Sequence, residues 1–121
     1  MLVLIVDDDR AIHSSLGEML RDEGYATAVA SDGGAALRLL RAGLRPGAIL
    51  LDLMMPVMDG WDFRADQMKD PTLKEIPVIV LSGTGFSRET IREQLDGADF
   101  VRKPPNVTDV LDALTRSCRP A

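Results

Sequence analysis

The amino-acid sequence predicts an α/β domain built on an open parallel sheet, and three observations carry that reading. Short apolar runs alternate strictly with segments of helical period. The runs are nearly continuous in hydrophobicity rather than alternating, as strands buried on both faces are. Four of the five runs lead into an acid, a hydroxyl or an ammonium, which gathers polar chemistry along one edge of the sheet.

The first run, Leu2 to Val6, leads directly into Asp7, Asp8 and Asp9. Ile12, Leu16, Met19 and Leu20 mark one face of a first helix, with Gly24 at its stop position. Tyr25 to Ala30 is a milder run and reads as an edge strand. Ala36, Leu37 and Leu40 stripe a second helix that stops at Gly43. The third run, Ala48 to Leu51, ends at Asp52. The helix after Gly60 has only a broken stripe, Phe63 and Met68. Pro77 to Ser82 forms the fourth strand, and Ser87 caps the helix that carries Ile91 and Leu95 and stops at Gly97. Ala98 to Arg102 leads into Lys103. The last helix has Asn106 as its cap and the clearest stripe: Val107, Val110, Leu111, Leu114 and Cys118. It consumes the chain to Cys118 and leaves Arg119-Pro120-Ala121 as a tail. Right-handed crossovers place helices on both faces of the sheet.

At 121 residues the chain has the size of one domain, and 45% hydrophobic content fills a core without disulfides. Only five residues are aromatic (Tyr25, Trp61, Phe63, Phe86 and Phe100), so the core is aliphatic. A net charge of -5 argues against a basic face for nucleic acid. The single cysteine, Cys118, excludes an internal disulfide and a multi-thiolate metal site. No apolar run approaches the ~18 residues of a membrane span. Met1 to Val6 is too short, and too quickly followed by acids, for a signal peptide. The expectation is one cytoplasmic domain over residues 1–121, with no repeat, no interdomain linker and no output domain.

In an open parallel sheet, ligands bind at the carboxyl ends of the strands, near the point where strand order reverses. A reversal between the first and third strands brings Asp7, Asp8 and Asp52 together. Two carboxylates at ~4 Å repel by roughly 1–4 kcal/mol over the plausible dielectric range. Such a cluster needs a cation or a raised pKa, and hard oxygen ligands on a rigid scaffold suit magnesium. Asp7 to Asp9 alone also fit a solvated acidic loop; Asp52 and Lys103 argue against that. Lys103 precedes Pro104, a pairing that invites a fixed turn and a candidate cis bond. A lysine held there reaches the carboxylates or a phosphoryl oxygen.

These residues carry a resemblance. The acidic pair after the first strand, Leu50-Leu51-Asp52-Leu53-Met54-Met55-Pro56-Val57-Met58-Asp59-Gly60, Pro77-Val78-Ile79-Val80-Leu81-Ser82-Gly83 and Gly97-Ala98-Asp99-Phe100-Val101-Arg102-Lys103-Pro104 resemble the receiver domain of two-component response regulators. The likeness covers residues 2 to 118 in order. It implies a flavodoxin-like doubly wound sheet of order 2-1-3-4-5, as in the chemotaxis regulator of that family. It also implies that Asp52 accepts a phosphoryl group from a sensor histidine kinase or a histidine phosphotransfer protein. Asp8 and Asp52 then ligate magnesium with the Met54 main-chain carbonyl, and Asp7 acts through water. The Met54 side chain faces the attacking water. Lys103 pairs with the phosphoryl group, Ser82 turns its hydroxyl toward it, and Phe100 changes rotamer with Ser82, its ring passing from exposed to buried. A downstream effector reads that face. The family is one of phosphoproteins in signal transduction that phosphorylate and dephosphorylate themselves without being metabolic enzymes. Pro105 departs from the family pattern, where a bulky apolar residue is usual.

A second reading is a pseudo-receiver, a protein-binding module of the same fold that is never phosphorylated; the intact set Asp8, Asp52, Ser82 and Lys103 argues against it. An aspartate-nucleophile phosphohydrolase needs a second acid where Met54 stands, and a flavin protein needs a hydroxyl- and glycine-rich phosphate loop where three carboxylates stand. His13 reads as a surface histidine on the polar side of the first helix. Cys118 reads as a packed small hydrophobe. Met54, Met55 and Met58 read as loop packing, because no Cys or His stands near enough for a soft-metal site. Trp61 reads as cover for the third helix.

Overall fold

The computed structural model describes residues 1–55, 57–83 and 87–118, with only the backbone of Arg88. Among them five strands and five helices alternate: β1 (Leu2–Val6), α1 (Arg10–Asp22), β2 (Ala26–Ala30), α2 (Gly33–Arg41), β3 (Ala48–Asp52), α3 (Gly60–Lys69), β4 (Val78–Ser82), α4 (Arg88–Gln94), β5 (Asp99–Arg102) and α5 (Val107–Ser117). The strands form one parallel sheet of order β2-β1-β3-β4-β5, with the mild second run at an edge as expected. Strand bounds differ from the apolar runs by a residue. Tyr25, Pro77 and Ala98 precede their strands, and Asp52 joins β3. Pro56, Gly85, Phe86 and the tail from Arg119 lie outside the described residues. No helix among those described is long and apolar enough to cross a membrane.

The near-continuous apolar runs have a direct cause. On β1, Leu4 and Val6 join a core with α2, α3 and α4, while Val3 and Ile5 join a second core with α1 and α5. Ile49 and Leu51 divide from Ala48 and Leu50 in the same way on β3. Each fully buried aliphatic side chain contributes roughly 1.5–3 kcal/mol. Both faces of the central strands are therefore bound tightly, and the strand ends are fixed relative to one another.

Local chemistry sets the helix ends. Ser87 and Asn106 cap α4 and α5 as the sequence predicts, accepting from the Thr90 and Asp109 amides. Asp9, Asp32 and Asp59 cap α1, α2 and α3 in the same way. Gly24, Gly43 and Gly97 all take positive φ, as their stop positions require. The stripe of α3 includes Phe63 as expected, but not Met68. Its buried face is Phe63, Arg64 and Gln67, and Met68 is half-buried. The stripe looked broken because two of its inward positions are polar.

Candidate functional site

The register pairs Val6 with Leu51, so Asp7 follows β1 level with Asp52 at the end of β3. Asp7 is fully buried and anchored on every side. Its amide donates to the Ala30 carbonyl (3.1 Å), and its Oδ1 accepts from the Asp9 amide (2.9 Å). Its Oδ2 accepts from Lys103 Nζ at 2.8 Å. Asp52 is 6% exposed; its Oδ1 lies 3.4 Å from Lys103 Nζ and accepts from the Met54 amide at 3.3 Å. Carboxylate oxygens of Asp7, Asp8 and Asp52 lie within 4.8 Å of one another, and Asp8 is the exposed member.

Two neighbours hold this edge in place. Gly60 lets α3 start directly against β3: a Cβ there would lie 2.5 Å from the Asp52 carbonyl oxygen and 2.8 Å from Leu53 Cα. Lys103 reaches over from β5, with its amide on the Ser82 carbonyl at 2.8 Å and a cis bond to Pro104.

Burial, then the charge of Asp7, pushes the Asp52 carboxyl above the usual carboxylate range; Lys103 and the Met54 amide pull it only partly back. Burial draws the Lys103 ammonium down, but its hydrogen bond to Asp7 and the charges of Asp7 and Asp52 outweigh this and leave it above the ordinary lysine value. One ammonium thus serves two carboxylates. The cluster retains negative charge and offers only hard oxygens, a donor set that fits a divalent cation such as magnesium.

The remaining candidates divide. Ser82 ends β4 and is buried. Phe100 is 5% exposed, in one apolar cluster with Phe63, Ile91 and Leu95. The Arg102 guanidinium lies 5.9 Å from its ring centroid. The expected exposed starting position is therefore corrected: the ring already sits inward, because α3 and α4 supply an apolar seat for it. Met54 is 71% exposed beside Asp52. Met55 and Met58 pack into the first core, as does the half-buried Trp61. Cys118 is half-buried against the second core, and burial pushes its thiol up.

Asp9 belongs to α1 as its cap rather than to the carboxylate cluster. His13 is corrected too. It is half-buried, and its Nε2–H donates to the Asp7 main-chain carbonyl at 2.6 Å. Its place in the first turns of a helix after an acidic loop was the available signal, since that turn faces back over the loop.

A sequence model of the response regulator receiver domain matches residues 3–115. Response regulator MprA of Mycobacterium avium is 35% identical over 128 aligned positions, covering 99% of this chain and 53% of that protein. The chain thus spans about half the length of such curated relatives. Chemotaxis protein CheY4 of Vibrio cholerae superposes with a TM-score of 0.85 at 30% identity, covering 96% of this chain and 97% of that one. The receiver domain of a Pseudomonas aeruginosa sensor histidine kinase, solved with a magnesium ion coordinated in its active-site cleft, gives a TM-score of 0.83 at 28% identity, covering 97% of this chain and 96% of that one.

Proposed function

The chain belongs to the response regulator receiver domain family, and from that premise we propose that it accepts a phosphoryl group on Asp52 and passes the change to a partner protein. The observation that carries this reading is the buried Asp52 carboxylate, 3.4 Å from the ammonium it shares with Asp7 and beside the exposed Asp8. Phosphoryl transfer is chiefly positioning and charge neutralisation, and these residues offer both.

In the proposed reaction an Asp52 carboxylate oxygen attacks the phosphorus of a phosphohistidine on a sensor kinase or phosphotransfer protein. The new P–O bond forms as the P–N bond breaks and the imidazole leaves. Lys103 stabilises the phosphoryl oxygens, and Ser82, at the end of the adjacent strand, donates its hydroxyl to one of them. A bound magnesium ion supplies neutralisation of phosphoryl charge; Asp8, Asp52 and the Met54 main-chain carbonyl are the residues proposed to hold it, with Asp7 acting through water. The exposed Met54 side chain borders the approach of a hydrolytic water. The role we propose for residues 1–121 is that of a cytoplasmic signalling receiver rather than of a metabolic enzyme.

An effector protein would read the face that carries Phe100. A groove of about 280 Å³ between β5 and α5, lined in part by Phe100, Arg102, Asp109 and Arg116, supports that choice. Incubation with acetyl phosphate and magnesium is expected to raise the intact mass by one phosphoryl group, and Asp52→Asn is expected to stay unmodified. Equal labelling of both proteins would refute the assignment, and no labelling of either would favour the pseudo-receiver.

A further inference from the structure

Away from the carboxylate cluster, buried polar side chains concentrate on the inner face of α3. Arg64 is 6% exposed, and the oxygens that accept its hydrogen bonds are all neutral, although the Asp96 carboxylate charge also acts on it. Its Nε donates to the Leu95 carbonyl and its Nη2 to the Asp96 carbonyl, both at 2.9 Å. Its Nη1 donates to Gln67 Oε1 at 2.8 Å. The fully buried Gln67 in turn donates to the Leu73 and Ile76 carbonyls, both at 3.0 Å.

Leu95 and Asp96 form the C-terminal boundary of α4. Asp96 takes φ 53° and Gly97 takes φ 81°, and the Gly97 amide returns to the Arg92 carbonyl at 2.8 Å. Carbonyls at a helix end lack intrahelical donors, and a planar guanidinium fork satisfies two of them at once. The other end of α4 differs: the Ser87 hydroxyl bonds within its own helix, to Thr90. Ile91 and Leu95 then bury α4 in the cluster that also seats Phe100. Apolar contact alone tolerates sliding, whereas directed hydrogen bonds define a single seat.

We propose that Arg64 is a positioning residue of the output face: it holds the last turn of α4 against α3, keeps the Phe100 seat in place, and so sets how far that face responds at Asp52. The response clause rests on the phosphoacceptor reading above. Arg64 shares a cavity of about 250 Å³ with Pro77, Val78, Gly97 and Ala98, where β4 and β5 begin, at the edge of the sheet opposite Asp52. Changing Arg64 therefore leaves the phosphoacceptor groups untouched.

The test compares wild type, Arg64→Leu and Arg64→Lys in the full chain, by intact mass with acetyl phosphate and magnesium and by amide hydrogen exchange. Asp52 labelling is expected to stay within about twofold of wild type in both variants. Exchange over residues 92–98 is expected to quicken about tenfold in Arg64→Leu while residues 3–6 and 49–51 hold their protection. The phosphorylation-dependent change over residues 91–100 is expected to be lost. Arg64→Lys, whose ammonium is a single point rather than a fork, is expected to fall between, and it decides the matter if the leucine variant does not fold. Wild-type protection at 92–98 in the variants, or a loss spread equally over β1, β3 and α4, would overturn the proposal. An unlabelled wild type would instead overturn the phosphoacceptor reading, leaving exchange at 92–98 to decide whether Arg64 holds α4.

Discussion

Asp52 is a carboxylate held where its charge is disfavoured, and that has a testable sign. Its folded pKa is raised, first by burial and then by Asp7. Its contribution to stability is thus complete below the ordinary carboxylate value and is lost as pH rises through the raised one. With a chelator present, Asp52→Asn is expected to melt roughly 2–5 °C above wild type near neutral pH, the scale of about 1 kcal/mol at this length. The gap should close toward pH ~4. A calorimetric series over pH checks this; an asparagine variant that melts lower, or a gap indifferent to pH, would contradict it. Asp7, Asp52 and Lys103 were legible because each directly follows or ends an apolar run. His13 and Arg64 were not, because each bonds a main-chain carbonyl. Main-chain carbonyls leave no mark on the residue alphabet, so His13 had only its place after the acidic loop to point to its bond, and Arg64 had no such signal.

Among the elements, β3 and α3 meet at Gly60 with no room for a side chain. Gly60→Ala should cost about 1–3 kcal/mol, the usual penalty for overpacking where the opposing atoms are backbone. It should also slow Asp52 labelling, since its Cβ presses on the Asp52 carbonyl. Gly83→Ala is the control: a Cβ there meets nothing within 4 Å. Urea midpoints for the two variants test the contrast, and equal midpoints would show that β3 yields to the added atom. The central strands were readable from composition because both of their faces are apolar. The inner face of helix α3 was not, since Arg64 and Gln67 occupy inward positions that a hydrophobic stripe reserves for aliphatics. Their burial is explained only once Leu95, Asp96, Leu73 and Ile76 are seen to present carbonyls to them.

The whole molecule brings to one edge residues that the sequence holds far apart, and a ligand shared by them couples that edge to global stability. For an assumed dissociation constant of ~1 mM, ~10 mM magnesium would stabilise the fold by about 1.4 kcal/mol. Asp8→Ala is expected to remove most of that gain in a thermal melt, and an undiminished response would exclude Asp8 as a ligand. The sheet order itself came from the resemblance rather than from the apolar pattern, because runs buried on both faces do not say which neighbour each one takes. The Lys103–Asp7 contact spans 96 positions of the chain. Synthesis proceeds from the amino end, so Asp7 and Asp52 emerge with the first half of the domain and their shared ammonium only with the last strand. A growing or truncated chain that lacks β5 presents its acids without their counter-charge. Charge balance at this edge therefore arrives in a single step, once translation and folding have both run past residue 103.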